Sequence, residues 1–312
     1  MKTTVLITGA AGYLGSIIAP ALLDCGYKVI ALDTYSRNDP TLAHLVANPD
    51  FEPVRGDARD EDLLKSLLPQ VDIVIPLAAL VGAPLCKQDP IAAKTTNLDA
   101  ILLLVKLMSN QQRILYPTTN SGYGVGEKGV FCTEETPLNP ISLYGTTKVD
   151  AEKAILDRGN GITFRLATVF GMAPRMRIDL LVNDFTYRAV TDRAVVIFEG
   201  DAKRNYIHIR DVAKAFLHGI DNYEVMSGEP YNVGLSSANL SKLELCAKIK
   251  AFVPEFVWLQ APIGEDPDKR DYIVSNEKLE KTGWFPDHSL EMGIQELIRG
   301  YRMIRNGRYS NV

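Results

Sequence analysis

The run Thr8-Gly9-Ala10-Ala11-Gly12-Tyr13-Leu14-Gly15 constrains this chain more than any other feature. It follows a short β-rich segment, Thr4–Thr8, and opens a helical-looking one, Tyr13–Asp24. A turn this tight between strand and helix needs glycine for positive φ and for close approach of the backbone to another group. The helix that follows presents free N–H groups and a partial positive charge at its start, which suits a pyrophosphate. The glycines are spaced three and three, not as in the commoner G-x-G-x-x-G dinucleotide fingerprint.

The rest of the first half repeats the rhythm. Candidate strands are Thr4–Thr8, Lys28–Asp33, Phe51–Arg55, Asp72–Pro76, Arg113–Thr118 and Gly161–Leu166. Helical patterns at Tyr13–Asp24, Asp60–Leu68, Pro90–Leu107 and Ser142–Asp157 lie between them. Such alternation predicts an α/β protein with a Rossmann-type, doubly wound parallel sheet covered on both faces. After Gly171 the pattern loosens into a helical stretch at Asp179–Ala189, short strands at Val195–Phe198, Tyr206–Ile209 and Tyr231–Val233, and a helix at Asp211–Asn222. The expected division is a nucleotide-binding domain over 1–170 and a smaller C-terminal substrate-binding lobe over 171–312, with about 206–235 returning to the first domain.

The bulk properties exclude several classes. With 312 residues, 46% of them hydrophobic, the chain can bury one large or two modest cores. Its net charge of -4 offers no basic field for nucleic acid or an anionic membrane. No apolar run reaches transmembrane length. Cys25, Cys86, Cys132 and Cys246 show neither pairing nor metal-ligand spacing, so a reduced, cytoplasmic protein is expected. His44, His208, His218 and His288 are scattered, and no metal site is expected.

Asp33 ends the second strand, where a carboxylate can accept hydrogen bonds from the adenosine ribose and repel a 2′-phosphate, so NAD is expected over NADP even with Arg37 nearby. Asp57 follows the third strand, placed to meet the adenine edge and also to cap the next helix. Of the thirteen tyrosines only Tyr144 has a lysine four residues on, Lys148. Residues so spaced share a helix face. A free phenol titrates near ~10, and making it a base at neutral pH takes roughly 4 kcal/mol of differential stabilisation, which a fixed cation can help supply.

Taken together, these residues resemble the extended short-chain dehydrogenase/reductase family, and within it the nucleoside-diphosphate (NDP) sugar epimerases and dehydratases. The resemblance rests on the three glycines, Gly56-Asp57, Leu77-Ala78-Ala79, Tyr144 with Lys148, Arg165–Gly171, Arg204–Val212, Tyr231–Gly234 and Gly283-Trp284-x-Pro286. It implies a fold and a bound NAD held by Gly9, Gly12, Tyr13, Leu14, Gly15, Asp33, Asp57, Ala58, Leu77, Ala78, Ala79, Tyr144 and Lys148. It implies a catalytic hydroxyl at Thr119, with Thr118 and Ser121 close by, beside Tyr144 as base and Lys148 as the cation lowering its pKa. The NDP-sugar is expected at Val81, Asn120, Thr168, Arg177, Asn183, Arg204 and Arg270, with Arg204 first and Arg270 second on the diphosphate and Arg175 helping to enclose it. Cys86 reads as a small wall residue.

The family's 4,6-dehydratases carry Asp-Glu directly after the catalytic Thr; here Asn120-Ser121 stand there, which argues against dehydration. Thr168 replaces an Asn found in many 4-epimerases. The expected activity is an NAD-dependent NDP-sugar 4-epimerase. A net 4-dehydrogenase releasing the 4-keto sugar nucleotide, and a non-catalytic NAD sensor, stay open as alternatives. A homodimer through Ile101–Val105 and Ser142–Asp157 is expected by likeness to relatives.

Overall fold

The structure is a computed structural model and describes residues 2–37, 39–261 and 270–304. Its strands in chain order are β1 (Thr4–Thr8), β2 (Lys28–Asp33), β3 (Phe51–Arg55), β4 (Ile73–Pro76), β5 (Arg113–Thr119), β6 (Phe131–Cys132), β7 (Gly161–Leu166), β8 (Thr168–Phe170), β9 (Ala194–Ile197), β10 (Lys203–His208), β11 (Pro230–Val233), β12 (Asn239–Ser241), β13 (Val257–Gln260) and β14 (Ile273–Val274). The helices are α1 (Gly15–Asp24), α2 (Glu61–Leu67), α3 (Ala83–Gln88), α4 (Pro90–Lys94), α5 (Ala100–Leu107), α6 (Leu143–Asp157), α7 (Leu181–Thr191), α8 (Ile209–Asp221), α9 (Tyr223–Met226), α10 (Lys242–Lys250), α11 (Glu277–Glu280) and α12 (Leu290–Gly300).

Seven strands form one sheet in the order β11-β7-β5-β4-β1-β2-β3, and every pair in it is parallel. Its strands alternate sides as a pleat requires. Val5, Ile7, Val29, Ala31, Ile73, Ile75 and Leu115 pack with Ile18 and Leu22 of α1 and Val212 and Phe216 of α8. Leu6, Ile30, Leu32, Val74, Ile114 and Tyr116 face the other way, toward Leu64 and Leu67 of α2, Ile101 and Leu104 of α5, and Ala151 and Ile155 of α6. β2 and β3 lie to one side of β1, and β4, β5 and β7 to the other, so the order reverses between β1 and β4. Beyond residue 171, β11 joins the sheet at its β7 edge. The apolar core then runs on without a break into Val182, Phe185, Leu245, Ile249, Ile294 and Leu297 of α7, α10 and α12.

Two local features depart from the periodicity. The apolar pattern over Pro90–Leu107 predicts one helix, but the path is interrupted by a π-turn at Thr95–Asp99. There the Asn97 amide turns away from the helix to bond the backbone N–H and C=O of Leu80, as π-turns near functional clefts often permit. Leu102, within a segment apolar all round, is 45% exposed.

The scattered histidines also come together, contrary to expectation. His208 and His288 stack at 4.3 Å between ring centroids, with Asp211 beside them. Asp211 is fully buried and accepts from Asp287 N at 2.9 Å, His288 N at 3.1 Å and His288 Nδ1 at 2.9 Å. His208 Nδ1 accepts from Arg210 N, capping α8. Asp211 is spent on His288 and the adjoining backbone, and His208 on Arg210 N and on Glu296, 3.2 Å from its Nε2, so the stacked rings form a clasp that closes the loop before α12 onto α8. Asp211→Ala would leave three donors unsatisfied and should lower stability by about 3 kcal/mol. Urea unfolding checks this, and a loss below about 1 kcal/mol would mean the loop is held by other contacts.

Candidate active site

The glycine loop passes so close to the next strand end that a Cβ on Gly9 would stand 2.6 Å from Ala78 N, and Gly9 has φ +69°. A Cβ on Gly15 would meet Ala10 O at 2.3 Å. On Gly12 it would meet only Gly9 O, at 3.0 Å, and otherwise fill open space in the cleft. The α1 N-terminus has no side-chain cap. Its start therefore keeps backbone donors for an anion, so the residues present fit a dinucleotide pyrophosphate.

A cleft of about 570 Å³ opens along the carboxyl ends of the strands. That volume falls in the usual range for ligand sites. It is lined by Gly9, Gly12, Tyr13, Leu14, Gly15, Asp33, Asp57, Ala58, Leu77, Ala78, Ala79, Val81, Thr119, Tyr144, Lys148, Thr168, Arg175, Arg177 and Arg270. Asp33 also organises its own corner: Oδ2 accepts from Ala11 N at 3.0 Å and Oδ1 from Tyr35 N at 2.9 Å. Asp57 pairs with Arg59 at 2.6 Å, which holds its carboxyl below the ordinary range, and the cap of α2 is Asp60 instead. Tyr13 contributes wall only in part, because its hydroxyl donates to Gly171 O at 2.7 Å and accepts from Asn183 Nδ2 at 3.2 Å.

Tyr144 stands in the first turn of α6. Ser142 caps that turn by accepting from Gly145 N at 3.1 Å, which fixes where the phenol points. Gly145 is needed there, since a Cβ would lie 2.9 Å from Pro140 Cβ. Thr119 acts on the phenol so as to favour its ionised form, and Thr119 Oγ1 donates to Ser121 Oγ at 2.8 Å. The Arg270 guanidinium bonds the same Ser121 hydroxyl. Lys148 is 4% exposed, and its Nζ sits 3.8 Å from the centroid of the Tyr116 ring.

Burial acts on the two groups in opposite senses. It pushes Tyr144 up to about 12, against the pull of Arg177 and Arg270. It pushes Lys148 down to about 7, against the pull of Glu152. The charges favouring the phenolate most are the two arginines.

Three expected substrate contacts do not reach the cleft wall. Asn183 is fully buried and spent on Gly171 N, Tyr13 and Arg177 O. Arg204 is 3% exposed, lies behind Tyr272 with its guanidinium 5.8 Å from that ring's centroid, and donates to Lys203 O. Asn120 is 1% exposed and points inward from the turn after β5. In each case the backbone direction of the element, invisible in a motif, turns the side chain from the cleft. Conversely, Ser121, Ser142, Thr96, Leu180 and Tyr272 line it without having been singled out as ligands. Cys86 lies behind the wall, with Sγ 3.3 Å from Leu80 O.

The sequence signature of the family described as "NAD dependent epimerase/dehydratase family" matches residues 5–234. The low-salt glycan biosynthesis protein Agl12 of Haloferax volcanii is 29% identical, the match covering 95% of this chain and 98% of that protein. UDP-glucuronic acid decarboxylase 1 of Arabidopsis thaliana is 26% identical over 96% of this chain and 70% of its own. The crystal structure of UDP-glucose 4-epimerase with UDP-glucose from Thermotoga maritima superposes with a TM-score of 0.84 at 25% identity, covering 96% of this chain and 99% of that one. With the glycine loop, the parallel sheet and the Tyr144 and Lys148 cleft all inside the matched span, the chain belongs to the NAD dependent epimerase/dehydratase family.

Proposed function

We propose that the chain is an NAD-dependent NDP-sugar 4-epimerase that oxidises C4 transiently and returns the hydride to the other face. One observation carries the reading. Tyr144, Thr119 and Lys148 meet at the β5 end of the cleft, and the carboxylates lining it among the described residues, Asp33, Asp39 and Asp57, all lie toward the β2 and β3 end. Among the described residues, a 4-keto sugar at Tyr144 thus has no neighbouring carboxylate to move protons at C5 and C6, which elimination would require. The ketone is then an intermediate and not a step toward dehydration.

NAD, when bound, supplies the acceptor and donor for the C4 hydride. The chain's own part is to hold and protonate. Tyr144 takes the proton from the C4 hydroxyl, and Thr119 hydrogen-bonds the same oxygen. Lys148 holds the cofactor ribose near the phenol. Arg270, Arg177 and Arg175 supply cations for the diphosphate, a task that guanidinium forks suit. A two-fold dimer fits the exposed apolar Ile91 of α4 and Leu102 of α5, at 78% and 45% exposure.

Incubation of the purified protein with a panel of NDP-sugars, following reduced nicotinamide and sugar composition, should show inversion at C4 without net NADH. Accumulation of NADH and ketone would assign a 4-dehydrogenase instead, and no change with any sugar would favour a sensor. In the same assay Tyr144→Phe should lower turnover ~10²-fold or more, the scale of a lost general acid/base. Lys148→Met should lower both turnover and NAD affinity, and Thr119→Val should cost less than either. Near wild-type turnover by Tyr144→Phe would refute the mechanism. Calorimetry with both cofactors should show NAD bound more tightly than NADP, because Asp33 meets the ribose where a 2′-phosphate would sit; equal or tighter NADP binding would make Arg37 a phosphate ligand.

A further inference from the structure

Tyr144, Lys148 and Glu152 follow one another at intervals of four along α6 and so share one face of it. Glu152 is 2% exposed. Its Oε1 accepts from Arg165 Nε at 3.0 Å and Nη2 at 2.7 Å. Its Oε2 is equally buried and has no hydrogen-bond partner. Half of the carboxylate is thus committed to β7 and half is not, an arrangement that costs stability if packing alone is its purpose. Arg165 is held in turn from its far side, where Nη1 donates to Tyr123 OH at 3.1 Å and Glu134 O at 3.0 Å. The carboxylate therefore cannot swing to follow Lys148; its place is set by three other elements.

Lys148 has polar neighbours on every side and one charge that acts on it. Tyr116 of β5 lies under Nζ, and its buried hydroxyl has no partner. Tyr144 precedes it on α6, with Thr119 of β5 acting on that phenol. Arg177 and Arg270 act on Tyr144 as cations, and Cys86 acts in the opposite sense. Among the described residues, the charge that acts on Lys148 itself is Glu152.

We propose that Glu152 is a positioning residue for catalysis: a buried counter-charge, held in place by Arg165, that keeps Lys148 protonated in a pocket too dry to sustain an ammonium alone. The inference rests on the reading of Tyr144 as the base and Lys148 as the cation at the cofactor ribose, and assigns what supports the second of them. The sign follows from the groups present. Burial lowers the lysine to about 7 and Glu152 raises it. Without the carboxylate, the ammonium survives only at lower pH, and the grip on the cofactor ribose is lost with it.

The direct test is the Lys148 titration in the full chain labelled with 13Cε-lysine, its resonance assigned by its absence in Lys148→Met. The wild-type midpoint is expected near 7. Glu152→Gln keeps an acceptor for Arg165 but removes the charge; its midpoint should fall by about 1 pH unit or more, a ~tenfold fall in the ratio of ammonium to amine at neutral pH. The pH above which NAD affinity declines, measured by calorimetry, should fall in parallel. Glu152→Asp should recover part of the shift. Arg165→Gln, which leaves the carboxylate without its partner cation, should hold the midpoint or raise it. A merely structural Glu152 would change thermal stability in both series and leave the Lys148 midpoint where it is, which would overturn the proposal. So would a midpoint that falls equally in Arg165→Gln, the outcome that decides should neither Glu152 variant fold. An unshifted midpoint alongside an inactive Tyr144→Phe enzyme brings down this inference alone; an active Tyr144→Phe enzyme brings down the function on which it rests.

Discussion

All seven strands of the main sheet run parallel, so their carboxyl ends meet along one edge. Everything that carries chemistry hangs from that edge: the glycine loop after β1, Asp33 at the end of β2, Asp57 after β3, Ala78 after β4 and Thr119 at the end of β5. The order reverses between β1 and β4, which opens a crevice in sheets of this kind. There Gly9 and Ala78 approach so closely that no side chain fits between them. A parallel sheet needs a crossover for each strand, and those crossovers cover both faces. The edge is left as the one broad surface where polar groups of many elements converge.

Burial is the second organising force, and it works against the site as much as for it. The low-dielectric end of the cleft that would strengthen hydrogen bonds to a sugar also makes both ions of the Tyr144 and Lys148 pair expensive. Left to desolvation, the pair sits as neutral phenol and largely neutral amine. The surrounding charges are arranged to oppose this, with Arg177 and Arg270 near the phenol and Glu152 near the amine. Each of them is in turn held: Arg177 by Asp179 at 2.5 Å, and Glu152 by Arg165. Such buried ion pairs contribute little net stability by themselves. Their value here is that they fix charge where the reactive groups need it.

The C-terminal portion is bound to the nucleotide end by polar ties as well as by a shared core. Tyr13, at the start of α1, reaches Gly171 O and Asn183, and Tyr301 donates to Asn183 O from after α12. This explains why Asn183 does not line the cleft: it is the joint through which three distant segments agree. The clasp of Asp211, His208 and His288 does the same on the α8 side.

What the sequence by itself determined is what local rules govern. Strand β1, the glycine turn and α1 were legible because φ > 0, apolar periodicity and helix start signals act within a few residues. The Tyr144 and Lys148 pairing was legible for the same reason, being a property of one helix face. Glu152, at the next interval of four, carries the same spacing, but a glutamate on a helix is usually solvated and only packing against β7 sets this one apart. Only the tertiary structure decided which side of an element faces the cleft. It put Ser121 and Arg270 on the wall and turned Asn120, Asn183 and Arg204 away from it. It brought His208 and His288 into contact across eighty residues of chain, and it interrupted a continuous helical pattern at Thr95–Asp99 to let Asn97 hold the Leu80 loop. Those outcomes depend on packing between elements far apart in sequence, and no spacing rule within one segment encodes them.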